Sequence, residues 1–467
     1  MFSWIKPWHR RVCQRVRMLN SLIRQIPVKA RAAARLFFYE FRLMIRMCSI
    51  FFRPYAGKGK ANPRRVILLA WTFPPIIFGG TYRPATLART AWCSGWQLAV
   101  FCGPSSDPPP KAGIDLLSKF PDSAEIYRTS QARARGGRSI FFPRIDGGSF
   151  RLVFETFLDV IANTAHMPPT RVMASGPPFH NFVVATLVAR YFRSALVLEY
   201  RDEWTECPFT FVRTGPFDRL MERWCLRFAD RVVLTTDSQR EHLLRVFPNL
   251  SPSKCVVIPN GYDEEDLPLT ASPGMSTRVE FDPFVLSYLG YLGAHTAPDS
   301  FLHTVATVVE RDPDLLRRLR LEFIGTRSET AIRAIESFPF PGIVAQRDLV
   351  PKYMAMQSMM SAGALLLLNP GPLQRYLPGK LYDYVASGTP ILVYGAGGEV
   401  ERLITELGAG IVVPENDPEG LRAALHALER TAPSNNGMRE EWLHKHTRAR
   451  LSEVTLRLLE EVESASP

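Results

Sequence analysis

The chain has 467 residues, with 57 Lys and Arg against 45 Asp and Glu for a net charge of +12, and that length accommodates two ordinary domains with extensions. The excess charge sits in residues 1–65, which hold 16 basic residues and one acid, Glu40, whereas the remainder carries 41 basic and 44 acidic residues. A near-neutral globular part excludes a general nucleic-acid-binding face.

Residues 1–62 read as a basic amphipathic leader. Over residues 4–26, Ile5, Trp8, Val12, Leu19 and Ile23 recur near helical spacing with Arg10, Arg11, Arg15 and Arg17 between them. A second helix is predicted from Arg31 to Arg53. There Arg31, Arg35, Arg42, Arg46 and Arg53 share an arc of roughly 60°, the rest is mostly apolar, and Glu40 lies opposite. Glu40, Arg42 and Arg46 interrupt the apolar core that a signal peptide requires. Burying them in a spanning helix costs about 2.5–3.5 kcal/mol each. A helix lying in the membrane interface needs only a cationic stripe and an apolar face, and fits best. The plainer alternative is a helix packing on the domain that follows. The seven scattered cysteines contain no C-x2-C pair and read as reduced thiols in a cytosolic setting, with neither disulfide framework nor zinc site.

Residues 63–262 read as a first Rossmann-like domain. Arg65 to Ala70 is a buried strand, and Gly79-Gly80 form a glycine loop before a helix over about 81–94, with Arg83 in its first turn. Residues 128–149 read as a flexible, arginine-rich loop beside the cleft. Strands over 171–174 and 196–200 run into Ser175-Gly-Pro-Pro-Phe-His180 and Arg201-Asp202-Glu203-Trp204, and ligands of doubly wound sheets bind just beyond strand C-termini. His180 reads as a ligand contact or, more plainly, as a helix cap. No G-x-G-x-x-G occurs, so dinucleotide binding has little support.

Pro259-Asn-Gly-Tyr-Asp263 opens a hinge over 263–282. Its acidic run Asp263 to Asp266 lies away from a strand end and is assigned no metal. A second Rossmann-like domain follows over 283–430, beginning with a strand at Phe284–Leu289 and the loop Gly290-Tyr-Leu-Gly293-Ala-His295. A charged helix is predicted over 438–463 within a terminal segment 431–467.

Leu377 to Glu399 is the most informative stretch. Pro378 and Gly379 open a helix, Gly388 and Pro390 end it, and Ile391 to Tyr394 form a buried strand. Lysine in a first turn is mildly unfavourable, and an anion reverses the sign, because free N–H groups and one ammonium make a phosphate site. Asp383 lies on the same face as Lys380 and can accept from hydroxyls, although a solvated Lys–Asp surface pair has the same spacing.

Pro378-x-Lys380-x-Tyr382-Asp383-Tyr384-x-Ala386-x-Gly388-x-Pro390 resembles the donor-binding signature of GT-B glycosyltransferases of the retaining group 1 (GT4-like) family. Phe73-Pro-Pro…Gly79-Gly80…Arg83, Ser175-x-Pro-Pro, Arg201-Asp-x-Trp and the Asn-Gly hinge resemble it too. The resemblance implies an α/β protein with two Rossmann-like domains facing a cleft, the first for acceptor and the second for nucleotide sugar. It implies that Lys380 meets the diphosphate with Gly379, Gly290, Gly293, His295, Gly79, Gly80 and Arg83 nearby. Asp383 would hold the ribose, His180 and Asp202 would face sugar and acceptor, and the base would lie near Ala345–Arg347. The final helix would cross back to the first domain. The family usually has glutamate at 383, and its Glu-x7-Glu motif would place glutamate where this chain has Arg375. Neither metal nor cofactor is implied. With the leader, the expectation is a peripheral membrane enzyme on the cytoplasmic face, acting on a lipid-linked acceptor in surface polysaccharide assembly. Alternatives are a soluble acceptor, a GT-B-fold sugar epimerase, or an inactive partner subunit, the last suggested by Arg375 and the shorter Asp383.

Overall fold

The structure, a computed structural model, describes residues 28–51, 62–130, 139, 142–267, 283–431 and 437–462. The first predicted leader helix, residues 4–26, and most of the hinge segment 268–282 lie outside them.

The first domain is built on β1 (Arg65–Ala70), β2 (Gln97–Cys102), β3 (Glu125–Arg128), β4 (Arg171–Gly176), β5 (Ala195–Tyr200), β6 (Arg231–Leu234) and β7 (Cys255–Val257). They form one parallel sheet in the order β3-β2-β1-β4-β5-β6-β7. The second domain repeats the plan with β8 (Phe284–Leu289), β9 (Leu319–Ile324), β10 (Val344–Arg347), β11 (Ala364–Leu368), β12 (Ile391–Tyr394) and β13 (Gly410–Val413), ordered β10-β9-β8-β11-β12-β13. Val66–Ala70, Val172–Ser175 and Leu365–Leu368 are buried, as unbroken apolar runs are in a parallel sheet covered on both faces. Each sheet therefore reverses its winding beside its first strand, at β1/β4 and β8/β11, which is where such sheets open a crevice.

The helices that matter below are α1 (Val28–Phe51), α2 (Tyr82–Cys93), α3 (Phe150–Thr164), α4 (His180–Phe192), α5 (Asp237–Val246), α6 (Lys352–Ser361), α7 (Gly379–Ser387), α8 (Gly398–Leu407), α9 (Gly437–Lys445) and α10 (Arg448–Glu461). Helix α1 docks on α3. Glu40, Leu43 and Met47 are buried there, and the Tyr39 hydroxyl donates to Glu155 at 2.5 Å while Arg151 lies over the Tyr39 ring. The plainer expectation for this helix thus holds for one face. Phe37, Phe41 and Met44 remain about two-fifths exposed on another.

Two expectations for local structure change. The segment predicted as one helix over 438–463 is two, because Thr447 caps α10 by accepting from Arg450 N while its neighbours clamp Tyr262, whose N–H donates to His446 O at 3.1 Å. The 128–149 loop contains a small hairpin, Arg144–Ile145 against Gly148–Ser149. Leu451, Leu456, Leu458 and Leu459 of α10 join the core of the first domain beside α2, so the chain returns to the domain it left.

Candidate active site

The loops beyond the C-terminal ends of both sheets meet one another. On the second-domain wall, Pro378 precedes α7 with no side-chain cap; the Leu381 N–H donates to Pro378 O at 2.9 Å, and the N–H groups of Gly379 and Lys380 have no partner among the described residues. Lys380 stands in that turn with its ammonium 3.4 Å from the centroid of the Tyr288 ring, a cation–π contact. No acidic side chain pairs with it among the described residues. The residue retains some exposure to the cleft, yet burial pushes its ammonium well below the usual lysine range. An unpaired cation at an uncapped helix start is costly alone and favourable once an anion arrives.

The loop after β8 borders this point. Gly290 has φ +119 and Gly325, after β9, has φ +129; a β-carbon on Gly325 would lie 2.2 Å from Gly290 O. Both positions require glycine, and the close approach keeps the loop low beneath the Lys380 stem. Gly293 lies in the same turn, its N–H donating to Thr296 Oγ1 at 3.3 Å, and Gly379 is exposed at the helix start.

Asp383, one turn along α7, is 5% exposed. Its Oδ2 pairs with Lys352 at the start of α6, and its Oδ1 is buried without a hydrogen-bond partner among the described residues. One acceptor oxygen is thus unsatisfied and the other is held by a lysine that the sequence reading missed. Nothing in the spacing of 352 and 383 announces that contact.

The first-domain wall is organised by two partly buried arginines. Arg201 donates to Gly80 O at 2.8 Å, Pro177 O at 2.6 Å and Gly176 O at 3.3 Å, fastening the Gly79-Gly80 loop to the end of β4. A β-carbon at Gly80 would fall 2.0 Å from Arg201 Nη1, which explains that glycine. Arg83, expected among the donor contacts, faces elsewhere. Its Nε donates to Glu199 at 2.8 Å, Nη2 to Ile258 O at 2.9 Å and Nη1 to Pro259 O, so it ties α2 to the hinge. Burial alone pushes the Glu199 carboxyl up, and Arg83 with the Ser175 hydroxyl outweighs it and holds it below the usual range. A lone glutamate in the apolar run Leu196–Tyr200 was the available signal for such a partner.

His180 is the first residue of α4 and fully buried, 4.8 Å from the Trp71 ring centroid. Neither ring nitrogen has a hydrogen-bond partner among the described residues, and burial pushes the imidazole down to about 4, so it is neutral at physiological pH. Asp202, just beyond β5, has its carboxyl pushed up to about 6 by burial, against the opposing pull of Arg201. Across the cleft, His295 Nε2 accepts from Thr210 N at 2.9 Å and its ring packs on Phe209. Of the hinge acids, Asp263 pairs with Arg448 and Glu265 with Arg89 and Lys119, whereas Asp266 Oδ2 is buried with no hydrogen-bond partner among the described residues.

Two parallel Rossmann-like sheets joined by a hinge, with C-terminal loops facing a common cleft, define the GT-B fold. Residues 79–261 match the family model for the glycosyl transferase 4-like domain. The chain is 26% identical over 204 residues to a D-inositol 3-phosphate glycosyltransferase of Saccharomonospora viridis, covering 42% of this chain and 47% of that protein. It therefore spans about half the length of the curated relatives it matches. Among solved structures it is similar to sucrose-phosphate synthase from Thermosynechococcus elongatus, with TM-score 0.61, 16% identity and coverage of 86% of this chain and 100% of that one. It is also similar to Anabaena Alr3699/HepE in complex with UDP-glucose, with TM-score 0.56, 14% identity and coverage of 85% and 99%. These matches bear out the likeness to the group 1, GT4-like glycosyltransferases, with the family model falling on the first domain.

Proposed function

We propose that this protein is a retaining, metal-independent glycosyltransferase that moves a sugar from a nucleotide-diphosphate sugar to an acceptor. The observation that carries the reading is Lys380, an unpaired ammonium at an uncapped helix start beneath a glycine-formed loop. The structural neighbour HepE is in complex with UDP-glucose, which supports a nucleotide sugar as donor. The bond between the anomeric carbon and the β-phosphate oxygen breaks, and one from that carbon to an acceptor oxygen forms. Lys380 and the amides of the α7 start neutralise the departing diphosphate, so the leaving group draws its positive charge from the chain and needs neither metal nor cofactor. The acceptor proton leaves with the diphosphate. Asp202 orients the acceptor hydroxyl, His180 offers a neutral imidazole to the sugar, and Asp383 accepts from the ribose. No protein nucleophile is assigned.

The same proposal places the enzyme on the cytoplasmic face of a membrane, with a lipid-linked saccharide acceptor in surface polysaccharide assembly. Its support is α1, where exposed Phe37, Phe41 and Met44 flank the exposed Arg35, Arg42 and Arg46. No described helix is long and apolar enough to cross a membrane.

The donor site is tested by thermal stabilisation with UDP, GDP, ADP and TDP. At a hundredfold excess over Kd the expected gain is about 2.7 kcal/mol for the matching nucleotide, lost in Lys380→Ala. Absence of a shift with all four would remove the donor-site assignment. A second reading, an inactive partner subunit, is favoured by Arg375 and would show nucleotide binding without turnover.

A further inference from the structure

Where the two walls meet, one residue of the second domain makes three hydrogen bonds to the first. Arg375 Nε donates to Glu203 Oε1 at 3.0 Å and its Nη2 to Oε2 at 2.7 Å. The Tyr376 hydroxyl adds a third bond to Oε2 at 2.9 Å. Glu203 belongs to the first domain, directly after Asp202, and is 3% exposed, so its charge is satisfied almost wholly from across the cleft. The Arg375 carbonyl accepts from Thr236 Oγ1 at 2.6 Å, at the first-domain helix start of α5. Next to it Ser238 donates through N and Oγ to Glu399 in the first turn of α8, at 3.1 and 2.6 Å. Phe209 of the first domain packs against Tyr376 and, edge to face, against His295 of the second.

These contacts join the two walls through residues that adjoin Asp202 on one side and lie five residues before Lys380 on the other. We propose that Arg375 is a positioning residue that latches the cleft shut by capturing Glu203. The proposal rests on the reading of the cleft as the donor and acceptor site. A side chain at 375 that reached the sugar would have to surrender Glu203, leaving a buried carboxylate facing two hydrogen-bond donors fewer. The sugar is therefore gripped by other groups, and the work of position 375 is closure, which excludes water from the transfer.

The latch is tested in the full-length protein by small-angle scattering and nucleotide binding, with kinetics once a donor is known. In Arg375→Ala the nucleotide-free radius of gyration is expected to rise, while affinity for the stabilising nucleoside diphosphate stays within about threefold of wild type. The kcat is expected to fall roughly tenfold or more with KM for donor little changed, as for a closure step. Exchanging the charges, Arg375→Glu with Glu203→Arg, is expected to restore the compact form that either single change loses. A radius of gyration unchanged in Arg375→Ala, or a single reversal as compact as the double, overturns the latch. Loss of nucleotide binding from Lys380→Ala alone, with Arg375→Ala still binding, separates a failure of the latch from a failure of the donor site.

Discussion

At the residue scale, the cleft is defined by groups whose ordinary protonation is disfavoured and whose hydrogen bonds are incomplete. Among the described residues Lys380 has no acidic partner and His180 no partner for either ring nitrogen, and Asp202 carries a carboxyl raised to about 6 by burial. Such groups concentrate where a ligand completes them. Asp202 gives a signed pH dependence. If its carboxylate orients the acceptor, kcat/KM rises with pH through about 6 and then levels, and Asp202→Asn loses both the rate and that limb. Its folded pKa lies above the unfolded value, so ionisation costs stability, and stability from this group is gained as pH falls through about 6. Asp202→Asn should therefore raise the melting temperature at pH 7 while lowering activity. A variant that is both less stable and unchanged in pH profile would place Asp202 outside the chemistry. The places of Lys380 and Asp202 in the fold were legible from the sequence, because one falls at a helix start and the other just beyond a strand end. Lys352 and Glu203 were not assigned roles because their partners lie 31 and 172 residues away and only the folded chain brings them together.

At the element scale, the strand–turn–helix units set how closely backbone approaches the ligand. Gly290 and Gly325 cross with both φ values positive, and a β-carbon on Gly325 would have no room beside Gly290 O. Gly325→Ala is expected to destabilise the fold by roughly 2 kcal/mol through strain and contact with Gly290 O, and to weaken nucleotide binding in proportion as the loop lifts. A wild-type unfolding midpoint in denaturant would contradict the close packing assigned here. The two glycine loops and the apolar strands were readable from local pattern, since parallel strands buried on both faces leave unbroken apolar runs. The break between α9 and α10 was not, because a threonine cap inside a charged helical stretch is visible only where Tyr262 of the hinge docks against it. Arg83 was misplaced for the same reason. Its helix position was clear, but three acceptors from β5 and the hinge claim its guanidinium.

At the scale of the whole molecule, three parts converge on one cleft: two sheets of the same winding order, and a C-terminal helix that returns to the first domain. The amphipathic helix α1 is attached outside this core by one face, leaving an aromatic and arginine-bearing surface. Vesicles containing anionic lipid should sediment the protein at low salt and release part of it as salt screens the arginines. Replacing Phe37, Phe41 and Met44 by serine should weaken sedimentation while leaving nucleotide stabilisation intact. Equal sedimentation of this variant and the parent would remove α1 from membrane attachment.

The central claim is transfer from a nucleotide sugar, and release of nucleoside diphosphate tests it most directly. The purified protein is incubated with a panel of nucleotide sugars, with and without a lipid extract as acceptor, and the diphosphate released is measured. The account predicts release with one donor, dependent on the extract and abolished in Lys380→Ala. Nucleotide binding that persists with no release from any donor would contradict it and leave a protein that holds the ligand without turning it over.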